Sequence, residues 1–252
     1  MAPRGNMPRI DFRSPRLHIE AALSRSAELM LAKPQAHYLT HVLRLNTGDT
    51  VLLFNGRDGE WRATLAAAGK RATTLTVQEQ TRGQTVPLDL HYLFAPLKHE
   101  RLDYMVQKAV EMGVSRLQPV MTRHTQVSRI NGDRMRANAI EAAEQCGILT
   151  LPEVAEPASF ARAIADRAPE RLLVFCDEDA DVKDPAAALA GRGGQPLAVL
   201  IGPEGGFSED ERATLLALPN VVRLSLGPRI LRADTAAVAA LAVVQAAIGD
   251  WK

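Results

Sequence analysis

The stretch Leu197-Ala-Val-Leu-Ile-Gly-Pro-Glu-Gly-Gly-Phe-Ser208 decides the fold class of this chain. Its apolar run, Leu197 to Ile201, reads as a strand buried on both faces, as strands of a parallel sheet are. The run passes straight into a Gly-rich turn and then into a helix starting at Ser208, where Glu211 three residues on completes a capping box. Ligands of parallel α/β sheets sit at the carboxyl ends of strands, and Gly202, Gly205 and Gly206 allow backbone to approach a bound group closely. The turn is therefore a candidate cofactor site, and a tight turn with nothing bound is the competing reading. It has neither the Gly-x-Gly-x-x-Gly spacing nor the Lys-Ser/Thr of a P-loop, which argues against nicotinamide and ATP.

Outward from there, Leu224-Ser-Leu-Gly-Pro-Arg-Ile-Leu-Arg232 repeats the arrangement of short strand, sharp turn and helix. Arg229 and Arg232 put two cations near a helix N-terminus, where the dipole favours an anion. Like charge there costs about 0.3–1 kcal/mol, so something negative should compensate it, either a ligand or Asp234 nearby. Further out, strands are expected at Leu88–Ala95, Arg116–Val120, Arg171–Cys176 and Val221–Leu224, with helices at Arg101–Met112, Asp133–Cys146, Ser208–Ala217 and Thr235–Ala247. Strands alternating with helices predict an α/β domain with a mainly parallel sheet.

The region ahead of it has another texture. Arg16–Ile19, Thr50–Phe54, Glu60–Leu65 and Thr73–Val77 read as short strands, with turns at 46–49 and 55–59. A helix is expected over Lys33–Leu43, with Pro34 at its start, and a small β-barrel is the natural closure. Polar Gln80–Pro87 separates the two textures, giving domains 1–82 and 83–252.

A chain of 252 residues fits two modest domains at roughly 150 residues each. With 46% hydrophobic and 23% charged residues it is neither disordered nor collagenous. No run approaches the ~18 apolar residues of a membrane span, and Met1 to Ile10 has no signal-peptide core, so a cytoplasmic protein is expected. Cys146 and Cys176 are too few for a disulfide framework or a Cys-based metal site. The net charge of +1 hides an asymmetry: residues 1–87 carry 12 basic against 7 acidic side chains, and residues 88–252 carry 18 against 22. A basic N-terminal part suits phosphate contact.

Several residues have ordinary readings. Lys108 and Glu111 are spaced for a surface ion pair. His37 and His41 are spaced for a metal but lack a third ligand, and no metal is expected. His91, His99 and His124 read as loop or solvated residues, Val42 and Leu43 as core, Trp61 as barrel core, and Arg44 as an exposed phosphate contact.

Taken together, Ile201-Gly-Pro-Glu-Gly-Gly-Phe-Ser208 and Leu226-Gly-Pro-Arg-Ile-Leu-Arg-Ala-Asp-Thr-Ala236 resemble the RsmE family, SPOUT-class methyltransferases acting on uridine N3 of 16S ribosomal RNA in the small subunit. The resemblance extends to His37-Tyr-Leu-Thr-His-Val-Leu-Arg-Leu-Asn-Thr-Gly-Asp49, similar to the family's PUA-like domain, and to Lys98, Gln107-Lys-Ala-Val-Glu-Met-Gly-Val114 and Ala143-Glu-Gln-Cys-Gly147. Two positions depart from the family: Ile148 stands where Arg is usual, and Asp234 replaces Glu.

The resemblance implies an α/β SPOUT domain with a C-terminal deep trefoil knot behind a small PUA-like β-barrel, S-adenosylmethionine as cofactor, and a homodimer that completes the site. By residue matching, the cofactor would lie against Cys176, Leu200, Ile201, Gly202, Pro203, Glu204, Gly205, Gly206, Leu226, Gly227, Ile230 and Leu231. Arg232, then Arg229, are the candidates for lowering the pKa of uridine N3, while Glu204 and Asp234 are open as proton acceptors or as structural groups. RNA contacts are expected from Arg9, Arg13, Arg16, Arg44, Lys98, Arg101 and Arg123. A SPOUT enzyme with another RNA target, or a non-catalytic RNA-binding assembly factor, are the alternatives.

Overall fold

The computed structural model describes residues 11–68, 72–177, 180 and 184–251. The chain divides into two compact units, Met1–Val86 with Ala143–Leu151, and Pro87–Ala142 with Pro152–Lys252.

Among the described residues the first unit is built on five strands, β1 (Arg16–His18), β2 (Glu28–Met30), β3 (Thr50–Phe54), β4 (Glu60–Ala68) and β5 (Thr73–Arg82), ordered β1-β3-β4-β5-β2. β1 pairs with β3 in parallel and the other neighbours are antiparallel. Alternate residues Val51 and Leu53, Ala63 and Leu65, Leu75 and Val77 turn onto one core with Leu17 and Leu39, as a period of two requires. Each large side chain so buried contributes roughly 1.5–3 kcal/mol. Trp61 packs against this core and donates from Nε1 to the Asp58 carbonyl (2.7 Å), in keeping with its reading as core.

The helix expected over 33–43 is two pieces. An α-helical turn, α1 (Lys33–His37), passes into a π-helical turn, Tyr38–Val42, closed by Leu43 N donating to Tyr38 O at 2.9 Å. The wider turn shifts the apolar face: Leu39 is buried, while Val42 is 58% exposed, against the expectation that it is core. The rings of His37 and His41 stack at 4.7 Å.

At the rim of this unit lies a buried charge cluster. Glu60 accepts from Arg16 Nε (2.7 Å), Arg82 Nη2 (2.7 Å) and Thr81 Oγ1 (2.8 Å). Burial alone would push its carboxyl up, and the hydrogen bonds from Arg82, Arg16 and Thr81 outweigh that and hold it below the usual carboxylate range. The segment Ala143–Leu151 completes the unit: Glu144 accepts from His18 N (2.8 Å), and the Gly147 carbonyl accepts from Arg82 (2.9 Å). Gly147 has φ +66° and Ile148 N reaches back to Ala143 O, a left-handed helix end that glycine supplies without strain.

The second unit alternates strands and helices: β6 (Leu90–Phe94), α2 (His99–Glu111), β7 (Arg116–Met121), α3 (Gly132–Cys146, its end belonging to the first unit), β8 (Glu153–Val154), β9 (Ala158–Ser159), α4 (Phe160–Ala165), β10 (Leu172–Cys176), α5 (Pro185–Leu189), β11 (Leu197–Ile201), α6 (Glu209–Ala217), β12 (Val221–Leu224) and α7 (Ala233–Ile248). The sheet order is β12-β10-β11-β6-β7-β8, with β9 also on β7, and every pairing is parallel. β11 is buried along its whole length, as its continuous apolar run requires. From β6 the chain steps one way to β7, and β11 lies on the other side, so the order reverses between β6 and β11. Such a switch point is where open α/β sheets bind ligands. His91, read as a loop or solvated residue although it falls in the strand expected over Leu88–Ala95, is half-buried within β6. Among the described residues no helix is long and apolar enough to cross a membrane.

Candidate active site

Because β12, β10 and β11 are parallel neighbours, their carboxyl ends open on one edge of the sheet. Every cofactor candidate falls there: Cys176 ends β10, Leu200 and Ile201 end β11, Gly202–Gly206 form the turn after it, and Leu226–Leu231 follow β12. Burial, with Asp177 adding to it, pushes the Cys176 thiol up to about 12, so it is a neutral lining group.

The capping box at α6 is present as expected: Ser208 Oγ accepts from Glu211 N, and Glu211 Oε2 accepts from Ser208 N at 2.9 Å. The other oxygen of Glu211 accepts from Arg123 N (2.8 Å), and His124 Nδ1 lies 3.1 Å from the Gly206 carbonyl, which ties the loop after β7 to the Gly-rich turn. The glycines divide by what a side chain would meet. A Cβ at Gly202 would lie 3.0 Å from the Phe207 ring, and one at Gly205 would lie 3.3 Å from His124 Cβ, so both serve the protein's own packing. Gly206 (φ +71°) and Gly227 (φ +96°) are left-handed and would turn a Cβ into open space. Ile230, three residues after Gly227, is 94% exposed.

The charges sort into two groups. Arg101 on α2 donates from Nε to Asp234 Oδ2 (2.9 Å) and from Nη1 to Glu204 Oε1 (2.8 Å), joining α2, the Gly-rich turn and the first turn of α7. The Arg101 hydrogen bond holds the Asp234 carboxyl below its ordinary value, with Thr235 N also donating to it. Both carboxylates thus pair with the same guanidinium. Arg229 and Arg232 are exposed, and their guanidinium groups have no ion-pair or hydrogen-bond partner among the described residues. The compensation of these arginines by Asp234 does not occur, since Arg101 takes it. A second anion that sequence reasoning missed is Asp177, which follows β10, is 5% exposed at its side chain, and pairs with Arg223 (2.9 Å) and Arg212 (3.2 Å).

The expected RNA contacts separate. Arg13 and Arg44 in the first unit, and Lys98 and Arg123 in the second, are exposed. Arg44 sits at φ +57°. Arg16 is corrected: it is 6% exposed, bound to Glu60, and its Nη groups donate to the Asp11 and Glu144 carbonyls. Arg101 is 36% exposed at its side chain and pairs with Glu204 and Asp234, while its Nη2 has no acceptor among the described residues. Arg9 lies outside the described residues. Lys108 and Glu111 form the expected ion pair at 2.7 Å.

Residues 84–245 match the family model of an RNA methyltransferase domain, and residues 31–78 match that of an RNA methyltransferase PUA domain. An α/β methyltransferase domain preceded by a PUA-like domain is therefore the class that the fold and the site define. Over 232 residues, 91% of this chain and 94% of the relative, the sequence is 30% identical to ribosomal RNA small subunit methyltransferase E of Rickettsia conorii. Its namesake in Synechocystis is 34% identical over 87% of this chain and 73% of its own length. Among solved structures, ribosomal RNA small subunit methyltransferase E from Neisseria gonorrhoeae, bound to S-adenosyl methionine, aligns with a TM-score of 0.83 at 26% identity, covering 95% of this chain and all 100% of that one. The chain belongs to the ribosomal RNA small subunit methyltransferase E family.

Proposed function

We propose that the chain transfers the methyl group of S-adenosylmethionine to N3 of a uridine in 16S ribosomal RNA of the small subunit. Bound at the site, the cofactor supplies a methyl already activated on a sulfonium. The residues that would hold it are Cys176, Leu200 to Gly206, Leu226, Gly227, Ile230 and Leu231. Their fit rests on the two open glycine positions, Gly206 and Gly227, and on the uncovered side chain of Ile230 at the same edge.

The chain's remaining task is to make uridine N3 a nucleophile. N3 carries a proton at neutral pH, and its anion spreads charge over O2 and O4. A guanidinium set against those oxygens favours the anion. What carries this reading is the division of charge: the two carboxylates pair with Arg101, while Arg232 and Arg229 have no carboxylate among the described residues. Arg232 faces the uracil oxygens first and Arg229 second, and the N3 proton passes to solvent. Residues 1–82 act as the RNA-gripping domain and residues 83–252 as the catalytic one, with Arg13, Arg44, Lys98 and Arg123 on phosphates. N3 lies on the Watson–Crick edge, so the uridine is unpaired or flipped out. A deep trefoil knot around the cofactor loops, a homodimer and a cytoplasmic ribosomal substrate belong to the same reading.

Single-turnover methylation of small-subunit particles from neutral to alkaline pH tests it. Removing one stabilising donor costs ~10²-fold or more in rate, so Arg232→Ala should be impaired at least that much and Arg232→Lys less. The deficit should shrink as pH rises, because solvent then supplies the N3 anion. A deficit constant with pH would overturn the role given to Arg232.

A further inference from the structure

The second unit has another concavity at the opposite edge of its sheet, where the amino ends of four parallel strands meet. It is a cavity of about 220 Å³ with Leu93 of β6 and Ala198 of β11 in its apolar lining. Its polar lining includes His91 of β6, Arg116 at the start of β7, Arg171 just before β10, and Arg167 from the segment after α4. Nothing in the methyl-transfer site uses these residues.

The charges here do not balance. Arg171 is matched by Asp89, which accepts from both Nη groups at 2.8 and 2.9 Å. Arg116 is matched by Glu153 Oε2 at 2.6 Å. Asp166, the acid in the lining, pairs outward with Arg162 at 3.3 Å. Among the described residues Arg167 has no carboxylate: its Nη groups donate to main-chain carbonyls, including Pro219 O at 3.1 Å, and its Nε is buried with no acceptor. A buried guanidinium nitrogen without an acceptor is a defect in a folded protein unless something absent from the chain itself completes it. Burial, then Arg171 and Arg116, hold His91 down to about 4 against the pull of Asp89 and Glu153, so its ring is neutral.

We infer that this cavity is an oxyanion site for a terminal phosphate group, free or carried on the 5′ end of a nucleotide or RNA, with Arg167 as its principal ligand and Arg116 as a second. Phosphate matches in kind the donor left open, the buried Arg167 Nε–H, and Arg116, held by Glu153 and by Gln118 at 3.2 Å, is the next cation within the lining. Guanidinium groups present planar forks suited to its oxygens, whereas His91 Nε2 already lies 3.3 Å from Asp89 Oδ1. A cavity of about 220 Å³ has room for a phosphate group.

Thermal unfolding of the full chain in increasing inorganic phosphate, at ionic strength fixed with sodium chloride, tests the site without any methyl transfer. Phosphate bound to the folded state raises Tm with a saturating dependence. The general stabilisation by excluded phosphate is shared by wild type and variants and cancels in the comparison. We expect Arg167→Gln to abolish the saturating shift and Arg116→Gln to weaken phosphate affinity about tenfold, one lost charge-assisted contact. Arg116 and Glu153 are 31% and 62% exposed, so Arg116→Gln keeps the fold and decides the matter even if Arg167→Gln does not fold. Absence of a saturating shift in wild type, or an equal shift in wild type and Arg116→Gln, overturns the assignment. Competition with a short 5′-phosphorylated oligoribonucleotide, against its 5′-hydroxyl twin, separates the sources. Displacement by the first alone assigns the site to RNA ends, and displacement by neither assigns it to free phosphate.

Discussion

Replacing Arg101 by glutamine removes the cation that joins the Gly-rich turn to the start of α7, and the size of the effect can be worked from the geometry. The pair with Glu204 has side chains 36% and 45% exposed, so it contributes only ~0.2–1 kcal/mol. The contact with Asp234 is better sheltered on the carboxylate side, at 17% exposure. A hydrogen bond to a charged group contributes about 1.5–3 kcal/mol, and the one-third exposure of Arg101 lowers that to about 1–2 kcal/mol. Asp234 left alone is not stranded, because it lies in the first turn of α7, where the helix dipole favours an anion. The expected loss is therefore ~1–3 kcal/mol, roughly 5- to 150-fold if it falls on a binding equilibrium.

Urea unfolding measures the loss in stability, and calorimetry with S-adenosylmethionine measures how much of it reaches the turn. The sign of its pH dependence follows from Asp234. Its folded carboxyl titrates below the ordinary 3.8, so the stabilisation is present in full above that value and disappears as pH falls through the folded one. Wild type and Arg101→Gln should thus converge in stability as the solution is acidified below about pH 4. A gap unchanged between neutral pH and pH 3 would refute the reasoning, and would assign the effect to lost packing of the arginine stem.

In the first unit, Glu60→Gln leaves Arg16 and Arg82 without a buried anion and should cost about 3 kcal/mol in urea unfolding, since breaking a buried network removes about 3–5 kcal/mol and glutamine keeps one acceptor. His91 should show no ring titration by NMR between pH 5 and 8, its folded value being about 4. Below the ordinary 6.5 the unfolded chain takes up a proton that the folded chain does not, so this group should lower stability as pH falls from 6.5 towards 4. Gly202→Ala sets a methyl 3.0 Å from the Phe207 ring and should chiefly lower stability in urea unfolding, whereas Gly206→Ala, which adds left-handed strain of about 1 kcal/mol and turns a methyl into the open space proposed for the cofactor, should weaken S-adenosylmethionine binding by calorimetry more.

Periodicity placed β3, β11 and β12 at their observed ends, because a buried strand leaves its mark on consecutive residues. β2, α4 and α5 were not expected: a three-residue strand and helices of five or six residues are too short to show a period. Val42 was misjudged for a related reason, since a helical face was projected through a segment that changes its hydrogen-bond spacing after His37. The roles of Arg16 and Arg101 were hidden more deeply. Glu60 is 44 residues from Arg16, and Glu204 and Asp234 are 103 and 133 residues from Arg101. Residue type and spacing identified the turns of the site, but which cations remain free depends on partners that only the folded chain brings near.

The order of strands also sets a timetable for synthesis. β10 lies between β11 and β12, yet β12 is made last of the three. Until residues 221–224 emerge, a growing chain carries β10 with one edge uncovered, a row of unpaired amides and carbonyls open to any passing strand. The same event that seals this edge brings Arg229 and Arg232 to the site. A nascent chain therefore has no completed centre to engage RNA prematurely, and a product cut short before β12 would be both inactive and prone to aggregate.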